Sequence, residues 1–238
     1  MIYFFCFVIS MILFFWITTY AKFVDINMIM LVIVIAVGNG GFFALANAHN
    51  LYEAILANSI CYVIGIFAPA IVFHIVCSIC KIHLPKWISL LSYAVQMVLY
   101  LTVFTVGKST IFYKSVYYHA GTPAYLTKTY GPMHTIYLIC MIFYTLMSMI
   151  VGLISLERKT IVSRSNVTII IFLNLLAVGI YIVERLTHFK IKLMPVTYVA
   201  SLFILMVPLL KIYIFSVYNK GKYLYFLIAG KPTSKRSS

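Results

Sequence analysis

Long apolar runs separated by short polar intervals organise this chain. A helix that crosses the hydrocarbon layer needs about 20 mostly apolar residues. Stretches of that kind occur seven times, over residues 2–19, 26–46, 54–79, 87–107, 133–156, 166–183 and 195–217. Most of the intervals between them are short. The exception is residues 108–132, KSTIFYKSVYYHAGTPAYLTKTYGP, where YKSVYYHA and AYLTKTY flank Gly121, Thr122 and Pro123. Two β-rich segments around turn residues predict a short hairpin between the fourth and fifth helices. The pattern therefore predicts an all-α membrane protein, a seven-transmembrane helical bundle over residues 1–217 carrying one β-hairpin.

Composition turns this pattern into a statement about solvent. The chain is 64% hydrophobic and 9% charged, with a mean hydropathy of +1.06, whereas an ordinary soluble domain has about 25% charged residues. The first apolar run is followed by its charge, Lys22, rather than preceded by it. A cleaved signal peptide has the opposite order, so an uncleaved first helix is expected. Basic residues set the orientation. With the N-terminus outside, twelve of the 18 lysines and arginines fall on the inner side and six on the outer side. The expected protein is multi-pass in a bacterial plasma membrane, with its N-terminus and hairpin extracellular and a short basic cytoplasmic tail at 218–238.

Charge and chemistry exclude several function classes. The net charge of +14 is accounted for by lysines that flank spans and meet anionic lipid, so the partner is the lipid bilayer and no nucleic acid is expected. The five cysteines lie in or beside apolar runs, and the single CSIC pair, Cys77 to Cys80, lacks the second pair or histidines of a zinc site. No metal or cofactor is expected. All four acids, Asp25, Glu53, Glu157 and Glu184, fall in loops or at span ends, which leaves no midplane carboxylate to couple an ion to transport. No serine elbow, intramembrane acid pair or metal-spaced histidine pair occurs, so no enzymatic activity is expected. Lys211 in the seventh run reads as a snorkelling lysine rather than a Schiff-base residue.

The informative polar residues gather at two places. In NAHNLYEAILANS, Glu53 lies where a carboxylate suits the positive end of a helix, with Asn50 as a candidate N-cap. The competing reading makes Glu53 and His49 part of an outward polar pocket shared with Glu184, Arg185 and His188 at the outer end of the sixth helix. Inside the runs, Asn39, Asn58, His74, Gln96, His134 and Asn174 are expected to face the bundle and find partners. The candidate ligand-binding residues are His49, Glu53, Asn58, His134, Glu184, Arg185 and His188.

The series LYEAILANSICYVIGIFAPAIVFHIV, YGPMHTIYLICMIFYTL, LERKTIVSRSNVTIIIFLNLLAVGIYIVERL and MPVTYVASLFILMVPLLKIYIF resembles the N-terminal seven-transmembrane sensor region of bacterial histidine kinases and diguanylate cyclases. Its marks are Glu53 and Tyr62 entering the third helix, Pro69 within it, Gly131-Pro132 before the fifth and Pro195 opening the seventh. The resemblance implies a membrane sensor that detects an extracellular or membrane-borne small ligand. Members of that family continue into a cytoplasmic output region. Here the seventh run is followed by NKGKYLYFLIAGKPTSKRSS, in which no kinase or cyclase fits, so the expected output partner is a separate histidine kinase or cyclase, with a homodimer as a further expected association. The alternative function is a small-molecule transporter or a structural subunit of a membrane complex.

Overall fold

A computed structural model describes residues 1–19, 24–157, 164–187 and 192–206. In chain order the elements are α1 (Ile2–Thr19), α2 (Ile26–Ala46), α3 (Leu51–Ile79), α4 (Lys86–Val103), β1 (Tyr113–His119), β2 (Tyr125–Tyr130), α5 (Pro132–Glu157) and α6 (Arg164–Thr187). A shorter apolar helix, α7, spans Met194–Met206. The first six helices are each long and apolar enough to cross a membrane. Of the seventh apolar run, residues 207–217 lie outside the described ones, as does the 218–238 tail. Phe15, Leu90, Ile139 and Phe203 are exposed on the helix surfaces, the arrangement expected where the surrounding solvent is lipid.

Polar residues at the apolar boundaries decide where helices start. The Asp25 side chain accepts from Asn27 N–H at 2.8 Å and caps α2. Asn50 accepts from Glu53 N–H at 2.9 Å, so α3 begins at Leu51, three residues ahead of its apolar run. The fourth run is cut at its other end. α4 stops at Val103 rather than near residue 107, because the chain passes through turns at Phe104, Thr105 and Val106. It then reaches Gly107 at φ +83°, a left-handed conformation that glycine adopts without strain.

α3 is the central helix. It packs against α2, α4, α5 and α6 and touches β1. Its closest neighbour is α2, where Gly38 and Gly41 face it. A Cβ on Gly41 would lie 2.7 Å from the Cys61 nitrogen and 3.0 Å from the Ala57 oxygen. Small residues that let two backbones approach are a main source of helix association in lipid, where apolar burial alone favours no partner. A cluster of Leu13, Ile35, Ile71, Val167 and Leu202 joins α1, α2, α3, α6 and α7. A second cluster of Ile66, Leu99, Val103, Phe112 and Tyr137 lies against the hairpin.

A polar clasp closes the end opposite the hairpin. Ser78 Oγ on α3 donates to Asp25 Oδ2 at 2.6 Å, and Tyr93 Oη on α4 donates to Asn27 Oδ1 at 2.8 Å. His74 stacks on Tyr93 with ring centres 5.0 Å apart. One carboxylate thereby caps α2 and ties it to α3, while the capped Asn27 ties it to α4.

Gly41→Ala should reduce stability by about 1–3 kcal/mol, the usual consequence of inserting a methyl into a tight contact. The rigid atoms it meets are backbone. Unfolding of the purified protein by heat or denaturing detergent measures this, and an unchanged midpoint would show that α2 and α3 separate without cost.

Candidate functional site

The two strands pair antiparallel, with Tyr113 opposite Tyr130 and Val116 opposite Lys128. Main-chain contacts fix the sheet to the helices. Ala124 N–H donates to Ala46 O at 3.0 Å, and Tyr118 Oη donates to Ala48 O at 2.7 Å. At the hairpin's foot Gly131 N–H donates to Phe112 O at 2.8 Å. A Cβ on Gly131 would lie 2.4 Å from the Ile111 and Thr110 oxygens, so only glycine permits this return of the chain into α5.

Side chains alternate across a strand. Thr127 and Thr129 are exposed on β2, and the intervening Lys128 is half-buried on the other face. Its Nζ donates to Asn58 Oδ1 at 2.5 Å and lies 5.8 Å from the Tyr62 ring centre and 5.5 Å from that of Tyr113. Both distances are within cation–π range. Asn58 Nδ2 donates to Tyr113 Oη at 3.4 Å, and Tyr113 Oη donates to Tyr62 Oη at 2.5 Å. A chain of donors thus runs from Lys128 on the hairpin to Tyr62 on α3.

Aromatic rings enclose that chain. Tyr62 meets Phe112, Tyr113, His134 and Tyr137 with ring centres 5.0 to 6.2 Å apart. His134, on the first turn of α5, stacks on Tyr130 at 3.9 Å. Asn58, His134, Tyr113 and Phe112 are all buried. Burial pulls the Lys128 ammonium from the ordinary value of 10.5 down to about 8, opposed by the nearby Cys61 thiol and aided by the Lys192 charge. Burial pushes the Tyr113 hydroxyl up, which keeps it a donor.

The residues singled out in the sequence divide among three places. Asn58 and His134 belong to the Lys128 cluster. Glu53 and His49 do not: Glu53 Oε2 accepts from His49 N–H at 2.8 Å and Oε1 from Asn50 Nδ2 at 2.7 Å, which, with Asn50 on Glu53 N–H, makes a reciprocal helix start of the capping-box kind. Both residues are exposed. Glu184 is buried at the α6 end, and its Oε1 accepts from Leu193 N–H and, at 2.7 Å, from Met194 N–H, so it caps α7 from outside. The Arg185 side chain and His188 lie outside the described residues, so the part of the expected outward pocket that they would form lies there too.

Lys128, Tyr113 and Phe112 were not among the sequence candidates. The available signal was the alternation in YLTKTY, which puts Lys128 on the face opposite two threonines. Among the described residues no three His, Cys, Asp or Glu side chains gather as a metal site. Comparisons with protein-family models, curated proteins and solved structures find no match.

The folded chain releases the Lys128 proton near pH 8, while an unfolded chain holds it to about 10.5. Between those values the unfolded state binds more protons, so stability should rise with pH across that window. Lys128→Met, which cannot titrate, should flatten the rise. Melting temperatures of both proteins between pH 7.5 and 10.5 test this; identical slopes would place Lys128 in water.

Proposed function

We propose that this chain is a membrane sensor: a ligand arriving at the hairpin end alters the seating of Lys128, and α3 carries the change to the opposite face. In this reading the hairpin is outside and the Asp25 clasp is cytoplasmic, where a separate output protein, a histidine kinase or cyclase, reads the helix positions. The observation that carries the reading is a lysine on the hairpin set into an aromatic and amide site on the central helix.

Physical chemistry supports such a role in two ways. A half-buried ammonium held by one amide and two rings, without a carboxylate among the described residues, is a contact of modest strength whose two arrangements can differ by only a few kcal/mol, the range in which ligands shift populations. The helix that receives it is also the one that reaches the far clasp. Asn58 and Tyr62 lie near one end of α3 and Ser78 near the other, and the 29-residue helix is about 43 Å long. Pro69 lies between them, where a missing main-chain bond and a ring clash allow a helix to bend.

The direct test places spin labels at Ile82 and Leu153, both exposed toward the clasp end, and compares native Lys128 with Lys128→Met in lipid nanodiscs. A sensor gives a changed distance distribution when the hairpin contact is removed. The same distribution in both proteins would favour a static structural subunit. The orientation is checked alongside it: an impermeant thiol reagent on intact cells should modify Ser109→Cys, and protection there would reverse the topology.

A further inference from the structure

The seat of the Lys128 ammonium is assembled by groups that also hold one another. Asn58 on α3 supplies the acceptor, its Oδ1 lying 2.5 Å from Nζ. Tyr62 on α3 and Tyr113 on β1 supply two rings, with centres 5.8 and 5.5 Å from the charge. Asn58 Nδ2 donates to Tyr113 Oη, and Tyr113 Oη donates to Tyr62 Oη. The bond to Tyr113 engages the Nδ2 end of the amide, so the Oδ1 end is turned toward the cation. Phe112, His134 and Tyr137 pack round the Tyr62 ring, with centres 5.0 to 6.2 Å away.

This arrangement has a defined preference. An amide oxygen needs an N–H or O–H donor, and the faces of tyrosine rings attract positive charge. A neutral alcohol keeps the hydrogen bond and loses the ring attraction. A quaternary ammonium keeps the ring attraction and loses the hydrogen bond. A primary ammonium on an aliphatic stem keeps both, and the Lys128 side chain is itself such a group. No carboxylate of the described residues acts on Lys128, so dipoles and rings hold the charge, and they act on a free cation as they do on a tethered one. Lys128 is half-buried between the exposed Thr127 and Thr129. Its flexible stem lets a rotamer change carry the ammonium toward water while both strands stay in place.

We propose that this seat is a recognition site for a primary alkylammonium ion, which enters in place of the Lys128 side chain. Lys128 is then a tethered competitor, present at an effective concentration in the millimolar range. That the displacement is the signal rests on the sensor reading above; that the seat takes the ion does not.

The probe is n-propylammonium, which matches the lysine side chain beyond Cβ, with 1-propanol as its neutral counterpart. Both are titrated at pH 7 against the full chain in phosphatidylcholine nanodiscs and followed by saturation-transfer NMR, with empty nanodiscs to measure partitioning into lipid. Lys128→Ala removes the competitor and should bind n-propylammonium about tenfold or more tighter than the native protein does. The same variant should bind 1-propanol about tenfold or more weaker than n-propylammonium. In the native protein, n-propylammonium should move the carbon signal of the Lys128 methylene beside Nζ to the position of water-exposed lysines. Equal affinity of native and Lys128→Ala protein for the ion, or equal affinity of Lys128→Ala for ion and alcohol, overturns the site. If Lys128→Ala does not fold, the native methylene signal decides: one that stays in place at n-propylammonium concentrations well above the millimolar range overturns it too. Displacement of Lys128 without any change in the Ile82–Leu153 distance would sink the sensor reading alone. A distance that responds to Lys128→Met in a protein whose seat takes no amine would sink this inference alone.

Discussion

The contact between Lys128 and Asn58, together with the bonds that join Tyr113 to Asn58 and Tyr62, holds the hairpin to the bundle from within. Without the lysine the Asn58 amide oxygen would be a buried acceptor facing rings. A buried amide oxygen left without a donor costs about 1–3 kcal/mol. The lysine supplies that donor and also places its charge against two tyrosine faces. In return the site pulls the lysine's pKa down to about 8, so the same contact is both an anchor and a titrating group close to neutral pH.

The few acids of this chain follow a common logic. Asp25, Glu53 and Glu184 each accept from backbone N–H groups at or beside the start of a helix. A carboxylate there satisfies donors that the helix cannot and meets the positive end of its dipole. Of the two readings of Glu53, the helix start is the one its contacts serve, with Asn50 and Glu53 bonding reciprocally. Glu184 extends the device across elements by capping α7 from α6. Both partly answer why acids survive in so apolar a chain. They lie at span ends and neutralise orphan donors instead of standing at the midplane.

What could be read from the sequence was what depends on local pattern. Apolar runs of spanning length become the six long helices, and the Asn50 cap is visible as a residue type three positions before Glu53. What could not be read depends on which helices meet. Nothing in the spacing of Gly38 and Gly41 says that α3 is their partner. Nothing in the third run marks Asn58 as the acceptor for a lysine 70 residues away. The end of α4 at Val103 was also hidden, because LTVFTVG carries no charge or proline to mark it, and the helix is left through turns at Phe104 to Val106 before the positive φ at Gly107. Asn58 and His134 were named as polar residues within apolar runs; Lys128 was not, because in a chain with 18 basic residues a loop lysine looks like another interface anchor.

The account stands on Lys128 being seated among Asn58, Tyr62 and Tyr113 in the folded protein. Its ammonium can be observed directly by carbon NMR of the methylene beside Nζ, in protein with isotopically labelled lysine and with Lys128→Arg to assign the signal. A titration midpoint near 8, well separated from the remaining lysines, is the predicted result. A midpoint near the ordinary 10.5 would put the side chain in water and contradict the account.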